Sequence, residues 1–570
     1  MLIQMRRRTL PVFLLSCLFS ISRGDLEAKV LIQYDPPQAA PAASAQQTLQ
    51  TYLHDHQAEL SLTPDLSNIR LELKQSSLLG DHYRFTYIAG TPATPLANSA
   101  LIVSVRPNGT VYRIFASLPE ALPIIRLEGK TASLTLQQAY DLVWKDLKVH
   151  GALLDEPKSE VAYVPVNGTL HKAYKITLGV AAPFGYWCYW IDMYTHQILK
   201  REETRLTRQP KRDLVPQINM YGGPIFDRTQ AFSEYHIRHM DLGEPTTTTP
   251  AEGGALVFDP DPRTALHDTT LRNDSPKEAF LMAYVERTLH DISFDGTLYS
   301  LKGPWIQLVD FEPPNESPSM SIDGHWSYQR DNNGFQDVMT YFHIDQNQRY
   351  IQSLGFTGDK AIQGGPIEVD SNGVDGADNS HYIPSSNRVA FGHGCVPDNE
   401  DADVILHEYG HALQHSMNPH WEGGDTGAMG EGFGDYWAVV YSLSTEKGRD
   451  FERFQMFNWD APGCWPGRRV DKTDIRYDPT HTYYAHSPVQ GGISDELWST
   501  PLVQSFVELQ EKGYSPDDIN RLVLESHFGV GPNSTMRDMA GIIVHTAKLL
   551  YPDPNYAQVF EKHFVQQGIL

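Results

Sequence analysis

The chain predicts an α+β fold from the patterning of three regions. Residues 25–204 mix strand-like alternation with a helical stretch. Residues 214–400 are rich in Pro and Gly with short strands, and residues 401–570 recur mainly at helical spacing. The last region opens on the run from Asp401 to Asp435, DADVILHEYGHALQHSMNPHWEGGDTGAMGEGFGD, where His407 and His411 stand four residues apart inside a helical pattern. A hydrophobic share of 41% with 20% charged residues describes a globular chain, and 570 residues are enough for three or four domain-sized units. The net charge of −24 leaves no basic face to neutralise phosphates, which argues against nucleic-acid binding.

At the N-terminus, Arg6-Arg7-Arg8 precedes an apolar stretch from Leu10 to Ile21 that is too short to span a bilayer. Ser22-Arg23-Gly24 then offers small residues before Asp25. Residues 1–24 therefore read as an export signal. A lipid anchor at Cys17 is the alternative, although Leu15 suits that site poorly. No other run is apolar enough to cross a membrane. Tyr83, Phe85 and Tyr87 alternate with polar residues as a strand does, Leu101 to Val105 is strand-like, and Asn108-Gly109 turns into Thr110 to Phe115. Leu134 to Val149 has helical spacing, and Lys175 to Val180 and Tyr186 to Lys200 return to strand. Arg201, Arg205, Arg208, Lys211 and Arg212 crowd a polar stretch around Pro210. Residues 205–213 therefore read as an exposed basic linker and a candidate processing site. Pro245 to Pro250 is a short low-complexity loop, and no internal repeat is present.

Phe335 to Leu354 has helical period and ends at Gly355; its His343 reads as ordinary structure rather than a ligand. Asp401 or Asp403 is placed to cap the next helix, Val404, Ile405, Leu406, Ala412 and Leu413 give it an apolar face, and Asn418-Pro419 ends it. Positions four apart share a helix face, so His407 and His411 can reach one metal ion with Glu408 beside them. Catalytic zinc needs a third protein ligand and keeps one position for water. Glu431, on a second helix predicted from Ala428 to Ser444, is the natural candidate. Asp435 shares its face and can accept the outward N–H of a histidine ligand, which fixes the tautomer. A bare five-residue match arises by chance; helix, third ligand and supporting carboxylate together set this one apart. Arg537 to Leu550 is a further helix. Among the cysteines, Cys188, Cys395 and Cys464 lie beyond the signal. Cys395 with Cys464 is the favoured pairing in an oxidising compartment, with three buried thiols as the alternative.

The run from Asp401 to Asp435 resembles the thermolysin and fungalysin families of zinc metalloendopeptidases, in which HExxH is followed by ExxxD. The resemblance implies that His407, His411 and Glu431 bind Zn2+, that Glu408 is the general base, and that Asp435 supports a histidine ligand. Asp378-Asn379-Ser380-His381-Tyr382, followed by Val389 to Gly394, resembles those families' edge strand, which holds substrate backbone by strand addition. Asn379, Ser380 and Tyr382 are thereby implied as substrate-binding residues, although Ser380 and His381 depart from the usual Ala and aromatic. A plain hairpin is the alternative. Tyr382 and a downstream histidine are candidate donors to the oxyanion. His486 is favoured for that histidine, with His481 behind it; aligning on Glu496-Leu497-Trp498 instead puts Gly492 there. Arg468 or Arg469 is in reach of a substrate carbonyl or else forms a solvated charge pair. Asp403 stands where such enzymes carry a Ca2+ ligand, and helix capping explains it equally well.

The stretch YWCYWIDMYTHQILKRE resembles the propeptides of these families, which assist folding and inhibit the enzyme until removed; a permanent accessory domain is the alternative. The resemblance therefore implies a propeptide-like region at 25–204 and a two-lobed catalytic region. Its β-rich lobe would span 214–400 and its helical lobe 401–570, with zinc in the cleft. The functional reading is an exported metalloendopeptidase made as a proenzyme, acting on protein or peptide substrates and held by its own N-terminal region. The alternatives are a non-catalytic binding protein and a narrow-specificity aminopeptidase on the same zinc scaffold.

Overall fold

A computed structural model of the chain describes residues 28–36, 45–119, 124–125, 133–150, 152–166, 168–210 and 248–570. The export signal at 1–24, Cys17 with it, and Lys211, Arg212 and Pro245 lie outside these residues. No helix among the described residues is long and apolar enough to cross a membrane. The fold is mixed, with several sheets and many helices.

The N-terminal part has two small layers. The first is a sheet in the order Ala28–Tyr34, Val111–Pro119, Ala100–Val105, Asp81–Ala89 and Ile69–Ser76, with Thr94–Pro95 paired to Asp81–Ala89. Its side chains alternate between faces with the period of two that a strand imposes. Leu101, Val103 and Ile114 pack with Leu49, Tyr52 and Leu53 of the helix Ala45–Asp55, whereas Ala100, Ile102 and Phe115 belong to the large core of residues 255–569. The second layer is the helix Leu136–Leu147 on a sheet of Lys158–Val166, Thr169–Ala181, Phe184–Asp192 and Ile198–Glu203, with Ile124–Ile125 at the other edge. The helix starts where Thr135 and Gln138 form a capping box, and it buries Ala139, Val143 and Leu147 against Ile176, Leu178 and Tyr189. The predicted strand from Tyr186 to Lys200 is broken: a turn at 193–195, held by Asp192 Oδ1 accepting from the amides of Tyr194 and Thr195, divides it into two.

The first sheet docks on the C-terminal part through polar as well as apolar contacts. Glu525 is fully buried and accepts from Ser77 Oγ and the amides of Leu78 and Leu79 at 2.5, 3.0 and 3.1 Å. Arg113 donates to the Phe528 carbonyl, and His82 stacks on Phe528 at 5.8 Å. Gly531 is needed here, since a Cβ would stand 2.4 Å from the Phe115 ring.

Residues 248–570 share one hydrophobic core. Within it, a sheet of Ile306–Leu308, Ile367–Asp370, Arg388–Phe391 and Ser380–Ile383 lies near the buried helix Asn333–Ser353, and a second sheet is built on Thr249–Phe258 and Tyr284–Phe294. His343 on that helix meets the Phe258 carbonyl at 2.9 Å, a structural contact. Helices Ala402–Met417 and Thr426–Ser444 cross at glycines: a Cβ on Gly410 would stand 3.0 Å from the Gly434 Cα. Cys395 and Cys464 form a disulfide, and Cys188 is a buried free thiol.

Candidate metal centre

Asp401 caps the helix Ala402–Met417 by accepting from the Asp403 amide, and Asn418 closes its C-terminus. The helix therefore starts and stops where its sequence predicts, which places His407 and His411 on one buried face. Their rings lie 4.9 Å apart at 86°. Glu431 comes in from the neighbouring helix, 3.4 Å from His407 Nε2 and 3.5 Å from His411 Nε2. One ligand atom from each of these three buried residues lies within 4.8 Å of the others. Both oxygens of the fully buried Glu408, both nitrogens of His411 and Oε2 of Glu431 have no hydrogen-bond partner in the protein. Buried polar atoms are ordinarily paired, so bare ones beside a converging set of two imidazoles and a carboxylate fit a cation-binding site.

The surrounding groups are not bare. Asp435 meets His407 Nδ1 at 3.0 Å and holds Arg468, whose Nε and Nη2 donate to it at 2.8–3.0 Å. Burial works against charge on His407, yet Asp435 and Glu431 together raise it to about 9. Burial, aided by the Glu431 charge, pushes the Glu408 carboxyl up to about 8, and burial pulls His411 down to about 3. His486 is nine-tenths buried. Its Nδ1 meets Asp495 at 2.7 Å, and the charges of Glu431 and Asp495 overcome burial to raise it to about 9. Gly434 is obligatory in this packing: a Cβ there would stand 2.7 Å from His407 Nδ1.

A short segment from the end of the N-terminal part lies beside this cluster. Leu206–Thr207 pairs antiparallel with the edge strand Ser380–Ile383, Leu206 opposite Tyr382 and Thr207 opposite His381. His486 Nε2 contacts the Thr207 carbonyl at 2.7 Å. The next residues continue the pairing: the Arg208 amide donates to the Ser380 carbonyl at 3.2 Å, Arg468 Nη1 donates to the Arg208 carbonyl at 2.5 Å, and the Gln209 amide donates to Asn379 Oδ1 at 3.1 Å.

No protein-family profile and no curated protein matches the chain. Among solved structures it is similar to the precursor of protealysin, a metalloproteinase from Serratia proteamaculans, at 12% identity and a TM-score of 0.35, over 60% of this chain and 95% of that one. It is also similar to the C-terminal domain of YpeB from Bacillus megaterium at 10% identity and a TM-score of 0.18, over 30% of this chain and 68% of that one. Neither likeness is close enough to carry an argument about this chain.

Several sequence expectations are revised by these positions. Tyr382 is not placed as an oxyanion donor: strand alternation turns its ring into the core, and its hydroxyl donates to Asn387 Oδ1. The backbone of Tyr382, by contrast, is part of the edge. His481 is exposed and pairs with Asp478, whereas His486 lies beside Thr207 and Glu431. Arg468 is buried against Asp435, whereas Arg469 pairs with Asp471 at the surface. Asp403 accepts from Ser442 Oγ at 2.7 Å and the Phe457 amide at 3.0 Å, so both of its oxygens are taken by protein donors. Arg205 and Arg208, expected in an exposed linker, are 1% and 0% exposed. Sequence reasoning did not find the residues that bury Arg208: Asp398 and Asp460 lie 190 and 252 positions away and belong to no motif.

Proposed function

We propose that the chain is an exported zinc-dependent metalloendopeptidase, made as a proenzyme whose N-terminal region occupies its cleft. The observation that carries this reading is the buried, unpartnered Glu408 carboxylate beside two imidazoles and a carboxylate whose ligand atoms converge. Two imidazoles and one carboxylate with a position left for exchange are a donor set that suits catalytic zinc. When bound by His407, His411 and Glu431, zinc supplies Lewis acidity to a carbonyl oxygen and to a water. Glu408 takes the proton from the attacking water and returns it to the leaving amine. Asp435 holds His407 by Nδ1 and so turns Nε2 toward Glu431. His486, anchored by Asp495, donates to the carbonyl under attack, and Arg468 donates to the carbonyl one residue on. Asn379 and the Ser380–Ile383 edge hold the substrate backbone as an added strand.

In this reading the residues before the cleft segment form the propeptide-like region, 205–213 carries the processing site, and the rest is a two-lobed peptidase. The N-terminal region inhibits because its own strand Leu206–Thr207 takes the place of substrate. The test is Glu408→Gln. Metal analysis should find its zinc content unchanged while casein cleavage, compared after processing in the 205–213 segment, falls by roughly 10²–10⁴-fold, the range for a lost general base. Cleavage at the wild-type rate would remove Glu408 from the mechanism.

A further inference from the structure

Beside the metal centre lies a second buried acidic group that the chemistry above does not use. Asp398 and Asp460 are both fully buried, and Asp378 stands at the rim of the same group. The two buried carboxylates are oriented by neutral donors: Ser380 Oγ donates to Asp398, and Trp465 Nε1 donates to Asp460 at 2.6 Å. The Arg208 guanidinium fills the space between them. Its Nη2 donates to Asp398 at 2.9 Å and stands 3.7 Å from Asp378, while its Nη1 donates to Asp460. The Trp465 ring faces the cation at 5.0 Å and Phe457 at 5.9 Å. A planar cation forked between carboxylates and flanked by aromatic rings is arginine recognition. A hard metal ion would ask for six or more oxygen ligands, and the aromatic walls supply none.

The backbone of the same residue fixes what the pocket recognises. The Thr207 carbonyl is the one that His486 touches, and the Arg208 carbonyl is the one that Arg468 touches. Arg208 therefore sits one residue past the carbonyl placed for attack, on the side that would leave as the new amino terminus. We propose that Asp398 and Asp460 form a specificity pocket for an arginine side chain on the residue immediately after the scissile bond, and that Leu206–Gln209 shows how such a substrate lies. This rests on the peptidase reading for its account of the scissile bond. The pocket's affinity for a guanidinium stands without it.

The pocket is read by binding and the substrate preference by cleavage. In the full-length Arg208→Ala variant, which vacates the pocket, millimolar arginine amide raises the thermal unfolding midpoint and leucine amide does not. The effect vanishes when Asp398→Asn and Asp460→Asn are added. No response to arginine amide, or an equal response to leucine amide, overturns the pocket. The wild-type chain after processing in the 205–213 segment, which carries no substitution that could impair folding, gives the second measurement. With zinc present, peptides differing only at the residue after the cut are cleaved with kcat/KM about 30-fold higher for Arg than for Leu, the lower end of what losing a desolvated charge pair costs. Equal cleavage of the two peptides overturns the proposal. Binding of arginine amide with no peptide cleaved under any condition retains the pocket and removes the peptidase reading instead.

Discussion

Two clusters that hold acids are equally buried and differently satisfied. On one side, Glu408, His411 and Glu431 present atoms with no hydrogen-bond partner in the protein, beside His407. On the other, Asp398 Oδ2 and Asp460 Oδ2 each hold a guanidinium nitrogen and a neutral donor, so each carboxylate has its cation although its Oδ1 is bare. Burying a charge without a partner is expensive, so the first cluster fits a cation supplied from outside the chain, as the proposed function requires. The second is built for a group that the chain itself supplies. Where a buried carboxylate finds its partner thus separates a candidate metal site from a candidate side-chain pocket, although both contain buried acids.

Breaking the difference at its strongest point means Glu408→Gln, with the 10²–10⁴-fold loss given above and zinc retained. Next in size is Arg208→Leu, which leaves two buried carboxylates without their cation. Removing one partner of a buried pair destabilises by about 3–5 kcal/mol, so the cleft segment should detach. Limited proteolysis should then cut near residue 208 faster than in the wild type, and unchanged protection would show that the ion pairs do not hold the strand. Asp435→Asn sharpens the other side: it keeps the ligands but loosens His407, and zinc affinity measured against a competing chelator should fall by about 10–100-fold. An unaltered affinity would mean that Asp435 serves Arg468 alone.

A smaller effect is expected at the docking face of the N-terminal sheet. His82 is fully buried between Ser77, Ser104 and Phe528, with Arg113 and Asp81 as charged neighbours. Burial, with Arg113 adding to it, lowers His82 to about 3. A depressed pKa gives stability that is present above the unfolded value near 6.5 and is lost as pH falls toward 3, at up to about 1.4 kcal/mol per pH unit. Glu525 opposes this: burial raises it to about 7, so its contribution is full below the unfolded value near 4.5 and lost as pH rises through 7. The difference between wild type and His82→Gln isolates the histidine, and the wild type should lose stability relative to the variant between pH 6.5 and 4. Parallel unfolding curves across that range would contradict the assignment. The smallest effect belongs to the exposed Arg469–Asp471 pair, where Asp471→Ala should cost at most about 1 kcal/mol in a thermal melt and leave zinc binding alone. A larger loss would mean that Arg469 supports the buried residue beside it.

The same contrast explains what the sequence made legible. The candidate metal cluster is written locally: Asp401, the HEYGH turn, Asn418-Pro419 and a glutamate on the following helix follow helical period and caps, and the two helices span the residues that period predicts. The arginine pocket is written across distance. Its cation and its acids come from separate segments, so a run of arginines around Pro210 has the composition of a solvated linker until the fold brings Asp398 and Asp460 to it. Tyr382 failed for a related reason, since resemblance places a residue on the edge strand while alternation decides where its side chain goes. His486 and Gly492 could not be separated by spacing alone, and it is Asp495 that anchors the histidine at the cleft.

The most direct test of the central claim is a zinc titration of the full-length chain beside two variants, Glu431→Ala and the double variant Asp398→Asn/Asp460→Asn. One zinc per chain is expected for the wild type and for the Asp398/Asp460 variant, with binding lost in Glu431→Ala. Zinc that follows Asp398 and Asp460 while ignoring Glu431 would contradict the assignment of both clusters.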